Sequence, residues 1–378
     1  MIQYILGRAG SGKTETVISR IAALARTDTP LLLLVPEQFS FETERTLNDR
    51  LGVRDAARVQ VLSFTRLADR VLRETGGIAE MVMDDVTRAL LMSIAVETAS
   101  APENSGEEKP KRTGQRSADY LTALLALCTE CKQCAVSPRM LALTAQTLPE
   151  GTLKRKLTDY ADIFGIYDAL AATAGIDPSD YLQIAAEKLP DCRLWEGAAV
   201  FVDGFKGFTA TELAVLQILM RRADVTVSLC TPAESVGEYD LFAPVARSLR
   251  QLQTIAKEQH IPCGETVILQ ENRRAKTPAL RALEANAFAA RPIVFEGTAA
   301  EVTVTPCPDI HEECAAVART VRRLLRTSDM RARDIAVIVR HLGDYRGILD
   351  AAFRRAGVPS YIDTAPDVYT APLLSLLL

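Results

Sequence analysis

Residues Gly7, Arg8, Ala9, Gly10, Ser11, Gly12, Lys13 and Thr14 make up the octapeptide G-x-x-x-x-G-K-T, a complete phosphate-binding loop. Such a loop works only between a strand and a helix, so it dictates the local fold. Both flanks comply. Ile2 to Leu6 is a short apolar run of strand length, and Val17, Ile18, Ile21 and Leu24 follow at helical spacing. The glycines let backbone N–H groups curl around a phosphate, and the helix N-terminus adds partial positive charge. Lys13 is placed to reach the β and γ phosphates of ATP, and the Thr14 hydroxyl to ligate Mg²⁺. A glycine-rich turn that binds nothing is the bland alternative, and flanks and spacing argue against it. The motif sits so early that any contact to the base is expected from elsewhere in the chain.

Further apolar runs extend the pattern. Leu31 to Val35 reads as a buried parallel strand, and Pro36 to Phe41 as a loop opening a helix. Val59 to Phe64 reads as the next strand, with a helix from Thr65 to Leu72. This alternation predicts an α/β fold with a doubly wound parallel sheet. Gly76-Gly77 interrupts it, and about 84 to 191 reads as almost wholly helical, an insertion into the sheet domain. Ser100 to Ser117 lacks large apolar residues and is expected to be a mobile loop. The sheet resumes with strands at Ala198 to Asp203 and Val225 to Cys230, and Thr209 and Glu212 form a capping box between them. Beyond these, Val302 to Thr305 and Asp334 to Arg340 are expected as strands, with helices at Ile310 to Leu325 and Tyr345 to Ala356. This reads as the start of a second α/β lobe. The run Leu373 to Leu378, broken only by Ser375, suggests a fragment of a longer protein.

The 378 residues suffice for two or three domains, and a net charge of −4 excludes a uniformly basic nucleic-acid binder. The first residues lack the basic start of a signal peptide, and the apolar runs are too short to span a membrane. Eight cysteines without a paired framework fit free thiols in a reducing cytoplasm. Cys128, Cys131 and Cys134 have the C-x₂-C-x₂-C spacing of part of an iron–sulfur run, but the fourth position is Pro138. On a helix Cys134 turns away from the other two, so buried thiols are the better reading. His260, His311 and His341 are too scattered for a metal or a catalytic triad.

Asp203, at the end of a buried strand, is the natural acid to hold Mg²⁺ through water; its simpler role is a helix cap. An ATPase places a second acid beside it, whereas Gly204 and Phe205 follow here. Phosphate and Mg²⁺ binding with weak or absent hydrolysis is therefore expected. Arg340, at the end of a late strand, is a candidate for reaching a γ phosphate across a cleft, or a plain surface arginine. The loops after the strands carry Gln38, Ser40, Phe64, Arg66, Phe205 and Phe208. On one sheet rim, such amide, hydroxyl, guanidinium and phenyl groups suit a single nucleic-acid strand. Taken singly, each is more often core or cap.

Four motifs together carry a resemblance: Gly-Arg-x-Gly-Ser-Gly-Lys-Thr, Leu-Val-Pro-Glu-Gln-Phe-Ser-Phe, Leu-Ser-Phe-Thr-Arg-Leu-Ala and Val-Asp-Gly-Phe-x-Gly-Phe-Thr. The chain resembles the N-terminal part of the AddB (RexB-like) family, the B subunits of bacterial AddAB helicase–nucleases. Arg333 to Arg340 with Ala356-Gly357-Val358-Pro359 resembles the start of the second helicase lobe. The resemblance implies a P-loop NTPase of the superfamily-1 (UvrD-like) helicase fold. It implies a P-loop domain over 1–80 and 195–295, a helical insertion over 81–194 and a second RecA-like lobe begun at 296–378. It also implies lost motor function, an AddA-like motor partner, a bacterial cytoplasmic setting and a role in double-strand break repair. The 3′ single strand would be scanned for a regulatory sequence (Chi) by Gln38, Ser40, Phe64, Arg66, Asp69 and Phe205 or Phe208. Asp69 departs from the family, where an aromatic can stand, and an acid there would repel phosphate. The family's nuclease domain and iron–sulfur cluster belong to a C-terminal region not among these residues.

Competing readings are an active superfamily-1 helicase, a P-loop kinase of a small molecule, and a scaffold in which the loop is a relic. The Asp203-Gly204-Phe205 site counts against the first, and the insertion and second lobe against the kinase.

Overall fold

The computed structural model describes residues 1–76, 82–101, 117–238, 240–289 and 291–362. Most of the expected mobile loop, Gly77 and the terminal apolar run lie outside the described residues. The chain divides into two compact units, Met1–Val294 and Phe295–Leu378.

The first unit is built on a six-stranded sheet: β1 (Ile2–Gly7), β2 (Leu31–Leu34), β3 (Val59–Leu62), β4 (Ala199–Val202), β5 (Asp224–Leu229) and β6 (Val267–Leu269). The strand order is β3-β2-β4-β5-β1-β6, and every pairing is parallel. The strands expected in this unit form to within a residue or two. The exception is β6, whose three residues are too few for a period to show. Side-chain alternation feeds two cores. Leu32 and Leu34 join Val200, Val202, Val225 and Val227 on one face, while Leu31, Leu33 and Val35 join Val59, Val61 and Phe201 on the other.

Helices cover both faces. Val17, Ile18 and Ile21 of α1 (Lys13–Leu24) and Leu47 of α2 (Ser40–Leu51) pack with the second core, beside the short α3 (Val53–Ala56). The first core takes Leu67 and Val71 of α4 (Phe64–Thr75). Next come α5 (Asp85–Ala99), α6 (Ala118–Gln133), α7 (Pro138–Thr147) and α8 (Thr152–Ala174). Met92, Leu124, Phe164 and Tyr167 give this helical segment a core of its own. The next helix, α9 (Tyr181–Lys188), sends Ala185 and Ala186 back into the sheet core. There it meets α10 (Ala210–Arg222) and α11 (Ala243–Glu258), with α12 (Pro278–Asn286) following β6.

The capping box forms: Thr209 Oγ1 accepts from Glu212 N and Glu212 accepts from Thr209 N. Thr209→Ala is expected to cost about 1 kcal/mol, read as a lower midpoint of urea unfolding. An unchanged midpoint would show that α10 is held by packing alone.

The second unit contains α13 (Ile310–Thr327) and α14 (Ile348–Ala356), with Cys314, Val321, Leu349 and Phe353 in its core. The strands expected over 302–305 and 334–340 are irregular here. A strand needs a ladder partner, and neither segment pairs among the described residues. Val304 and Ile338 are accordingly about nine-tenths exposed.

Candidate functional site

The parallel sheet aims its strand ends at one edge, and the glycine loop follows β1 there. Gly10 and Gly12 have φ of 81° and 94°, in the left-handed region that a side chain disfavours. Crowding fixes the other glycine, since a Cβ on Gly7 would meet Ser11 Oγ and stand 2.8 Å from the Leu269 carbonyl. Lys13 lies over the loop and donates from Nζ to the Gly7 and Arg8 carbonyls, both at 2.9 Å. Thr14 donates from Oγ1 to Asp203 Oδ2 at 2.7 Å. The other carboxylate oxygen accepts from Ser228 Oγ on β5. Asp203 is buried, and this pair of hydroxyls satisfies it. The hydroxyl of Thr14 and the carboxylate of Asp203 are hard oxygen donors held together, a set that suits Mg²⁺.

Ser228 and the segment after β6 went unnoticed in the sequence. Arg273 donates its backbone N–H to the Gly10 carbonyl at 2.8 Å. Its Nη1 stands 3.4 Å from where a Cβ on Gly12 would be. Asn272 braces the turn by accepting from Arg274 N and Ala275 N, both at 2.9 Å. Recognising β6 would have put Asn272-Arg273-Arg274 at a strand's carboxyl end. Arg8 is engaged elsewhere: it pairs with Glu284 at 2.7 Å and lies over the Phe242 ring. Arg340 is an exposed residue of the second unit, in irregular backbone.

The rim beside the loop brings several predicted side chains together. Gln38 is exposed in a single 3₁₀ turn, Glu37–Phe39, and Ser40 opens α2 with a buried Oγ that has no partner. Phe64 is buried and packs edge-on against Phe205 and Phe208, with centroids 5.3 and 6.5 Å away. Phe205 and Phe208 are half-exposed and lie 5.3 Å apart. Phe64 is thus the support beneath two rings that reach solvent. Arg66 pairs with Glu44 at 3.3 Å while half-exposed. Asp69 is engaged by Arg73 at 2.8 Å and accepts from the Tyr181 hydroxyl, so its charge is partly balanced within the chain. Phe41 is 79% exposed, an open aromatic face between Ser40 and the body of α2. Alternation along a helix start cannot reveal that exposure.

The three cysteines singled out by spacing diverge. Cys128 is buried, Cys131 half-buried and Cys134 exposed, all as free thiols. Burial pushes the Cys128 thiol up to about 12, so it stays protonated at neutral pH. Among the described residues no cluster of His, Cys, Asp or Glu is arranged for a metal, and no helix is long and apolar enough to cross a membrane.

Fold and site together define an α/β protein with a glycine loop on the carboxyl edge of a parallel sheet. The family described as ADDB, N-terminal, matches residues 4–284, and the chain belongs to it. Curated relatives agree. The B subunit of the ATP-dependent helicase/deoxyribonuclease of Acetivibrio thermocellus is 32% identical over the whole of this chain. The proteins of the same name from Symbiobacterium thermophilum and Bacillus cereus are 32% and 30% identical over the whole chain. In each case the chain spans about a third of the relative's length, 33%.

Proposed function

We propose that this chain is the nucleotide-binding, strand-scanning region of a helicase–nuclease B subunit acting in recombinational repair of double-strand breaks. It holds ATP with Mg²⁺ but is not itself a motor. The observation that carries the nucleotide reading is the Thr14–Asp203 pair at 2.7 Å beside Lys13. Gly7 to Thr14 wrap the phosphates, Thr14 and Asp203 hold Mg²⁺, and Arg273 adds a second cation at the loop mouth. Mg²⁺ supplies charge neutralisation on the phosphates. No acid follows Asp203 to orient water, because Gly204 and Phe205 stand there; hydrolysis is therefore weak.

On this reading 1–80 and 195–295 form a helicase-like first lobe of the superfamily-1 kind. Residues 81–194 are its insertion, and 296–378, which include Arg340, begin a second lobe. Gln38, Phe205 and Phe208 read bases of the 3′ strand, braced by Phe64, with Arg66 on the phosphates; Ser40 is buried and stays out of the contact. Asp69 holds Arg73 and leaves the strand uncontacted. The motor is an AddA-like partner in the bacterial cytoplasm, and the iron–sulfur cluster belongs to the rest of the parent subunit.

The test is titration with single-stranded oligonucleotides of varied sequence, with and without Mg-ATP, at two salt concentrations. Binding that survives salt for some sequences is expected, because phosphate contacts alone fade together. Arg66→Ala should weaken binding and lower the salt slope by about 0.7. Uniform, fully salt-sensitive binding would remove the scanning role. Turnover of ATP at the rate of a motor would instead favour an active helicase.

A further inference from the structure

Away from the glycine loop, α10 and α11 enclose a shallow groove of about 330 Å³. Leu213 and Ile255 form its floor, and Arg247, Arg250, Gln251 and Thr254 its walls. Two turns of α11 place these polar side chains on one outer face. Arg247 and Arg250 are exposed, and neither has an ion pair or side-chain hydrogen bond among the described residues. No acid lines the groove. Glu212, next to Leu213 on α10, is already committed to the Thr209 cap.

The groove also adjoins the aromatic rim. Phe208 immediately precedes Thr209, the N-cap whose carbonyl accepts from Leu213 N. A Cβ on Gly207 would stand 3.4 Å from Ser248 Oγ on α11, so the rim loop rests against that helix. Lys206 is exposed in the same loop. Phe205, Phe208, Leu213 and Ile255 all pack on one hydrophobic cluster. An aromatic pair, an apolar trough and a row of cations therefore follow one another over the surface.

We infer that the α10–α11 groove is a second binding segment for single-stranded nucleic acid, carrying the strand away from the rim. Guanidinium groups match phosphate geometry, and an apolar floor accepts sugar and base faces without reading sequence. Gln251 and Thr254 add hydrogen bonds to the backbone. The groove supplies length and affinity; the rim supplies discrimination. This rests on the reading of the rim as a strand binder, and the two are separable.

The experiment uses the full chain and two labelled oligo-dT probes, one of roughly 4 nucleotides and one of roughly 16. Arg247→Ala/Arg250→Ala should weaken the long probe about tenfold. It should lower the salt slope by about 1.4 and leave the short probe unchanged. Arg66→Ala should weaken both probes. If the α11 pair leaves the affinity and slope of the long probe at wild-type values, the groove proposal is overturned. The rim reading then stands or falls on Arg66→Ala alone. If the α11 pair acts on the long probe and Arg66→Ala acts on neither, the groove is upheld and the rim reading fails. Absence of binding to both probes in the wild-type chain overturns both. Unchanged probe affinity with weakened capture of the partner subunit would assign the groove to a protein contact and overturn the proposal. A photocrosslinker in place of Gln251 gives a check independent of folding. It should label the long probe several nucleotides from the position labelled at Phe205.

Discussion

Replacing Lys13 by Ala is expected to weaken ATP binding by at least about 30-fold, roughly 2 kcal/mol for the charge-assisted hydrogen bonds to phosphate that the variant cannot make. The lysine now donates to the Gly7 and Arg8 carbonyls at 2.9 Å. These are neutral acceptors, and an anionic phosphate at the loop replaces them with a stronger partner. The truncated side chain leaves the loop's own fold intact, because Gly10 is held from the other side by Arg273 N at 2.8 Å. Fluorescent-nucleotide titration reads the affinity. Thermal unfolding offers a second reading, since saturating Mg-ATP at 100 times Kd stabilises the wild type by about 2.7 kcal/mol. That stabilisation should fall to about 0.9 kcal/mol or less in Lys13→Ala at the same ligand concentration. Equal nucleotide affinity in the two proteins would make the loop a relic and the nucleotide reading wrong.

The second large effect lies far from the loop. Asp177 is almost wholly buried between helices of the inserted segment. It accepts from the Tyr167 hydroxyl at 2.8 Å and from Ser179 N at 2.9 Å, and faces Arg88 and Lys132 at 3.3 Å each. Arg88 also reaches Thr129 and Ser179, while Lys132 also pairs with Asp168 and Asp180. Four elements (α5, α6, α8 and the turn before α9) meet on this one carboxylate. Asp177→Ala leaves two cations, each largely withdrawn from water, with part of their balancing charge gone. The expected loss is about 3–5 kcal/mol, measured as a fall in the urea midpoint. Restored stability in Asp177→Asn would reduce the role of the charge to hydrogen bonding.

Acid provides a separate check on the same carboxylate. Burial alone would raise its pKa, but the Ser179 N–H, Lys132, Tyr167 and Arg88 outweigh burial and hold it below the usual carboxylate value. With the folded pKa depressed, the contribution is full above the unfolded value near 4 and fades as pH falls through the folded value. The wild type should therefore lose stability below about pH 4 more steeply than Asp177→Asn. Parallel acid profiles would contradict the assignment.

Local signals were legible wherever a short stretch contains its own cause. Glycines at 7, 10 and 12 demand special backbone, the apolar run Leu31 to Val35 can only be buried, and Thr209 with Glu212 makes a cap within four residues. These set the parallel sheet, the phosphate loop and the helix following Asp203. The strands expected at 302–305 and 334–340 failed for the complementary reason. Their apolar content permits a strand, but a ladder needs a neighbour that the segment itself does not contain.

The site depended on contacts that chain spacing cannot express. Asp203 and Thr14 are 189 residues apart and meet because β5 lies between β1 and β4 and brings Ser228 to the same carboxylate. Arg273 reaches the loop mouth because β6 adds to the open edge of β1. The sequence leaves Phe64 open between core and strand contact; it is buried, and the half-exposed rings are those it supports. Local composition and period settle which elements form, since their energies arise within a few residues. Which side chains share a site is set by strand order and helix packing, where the partners are remote in sequence and neighbours only in space.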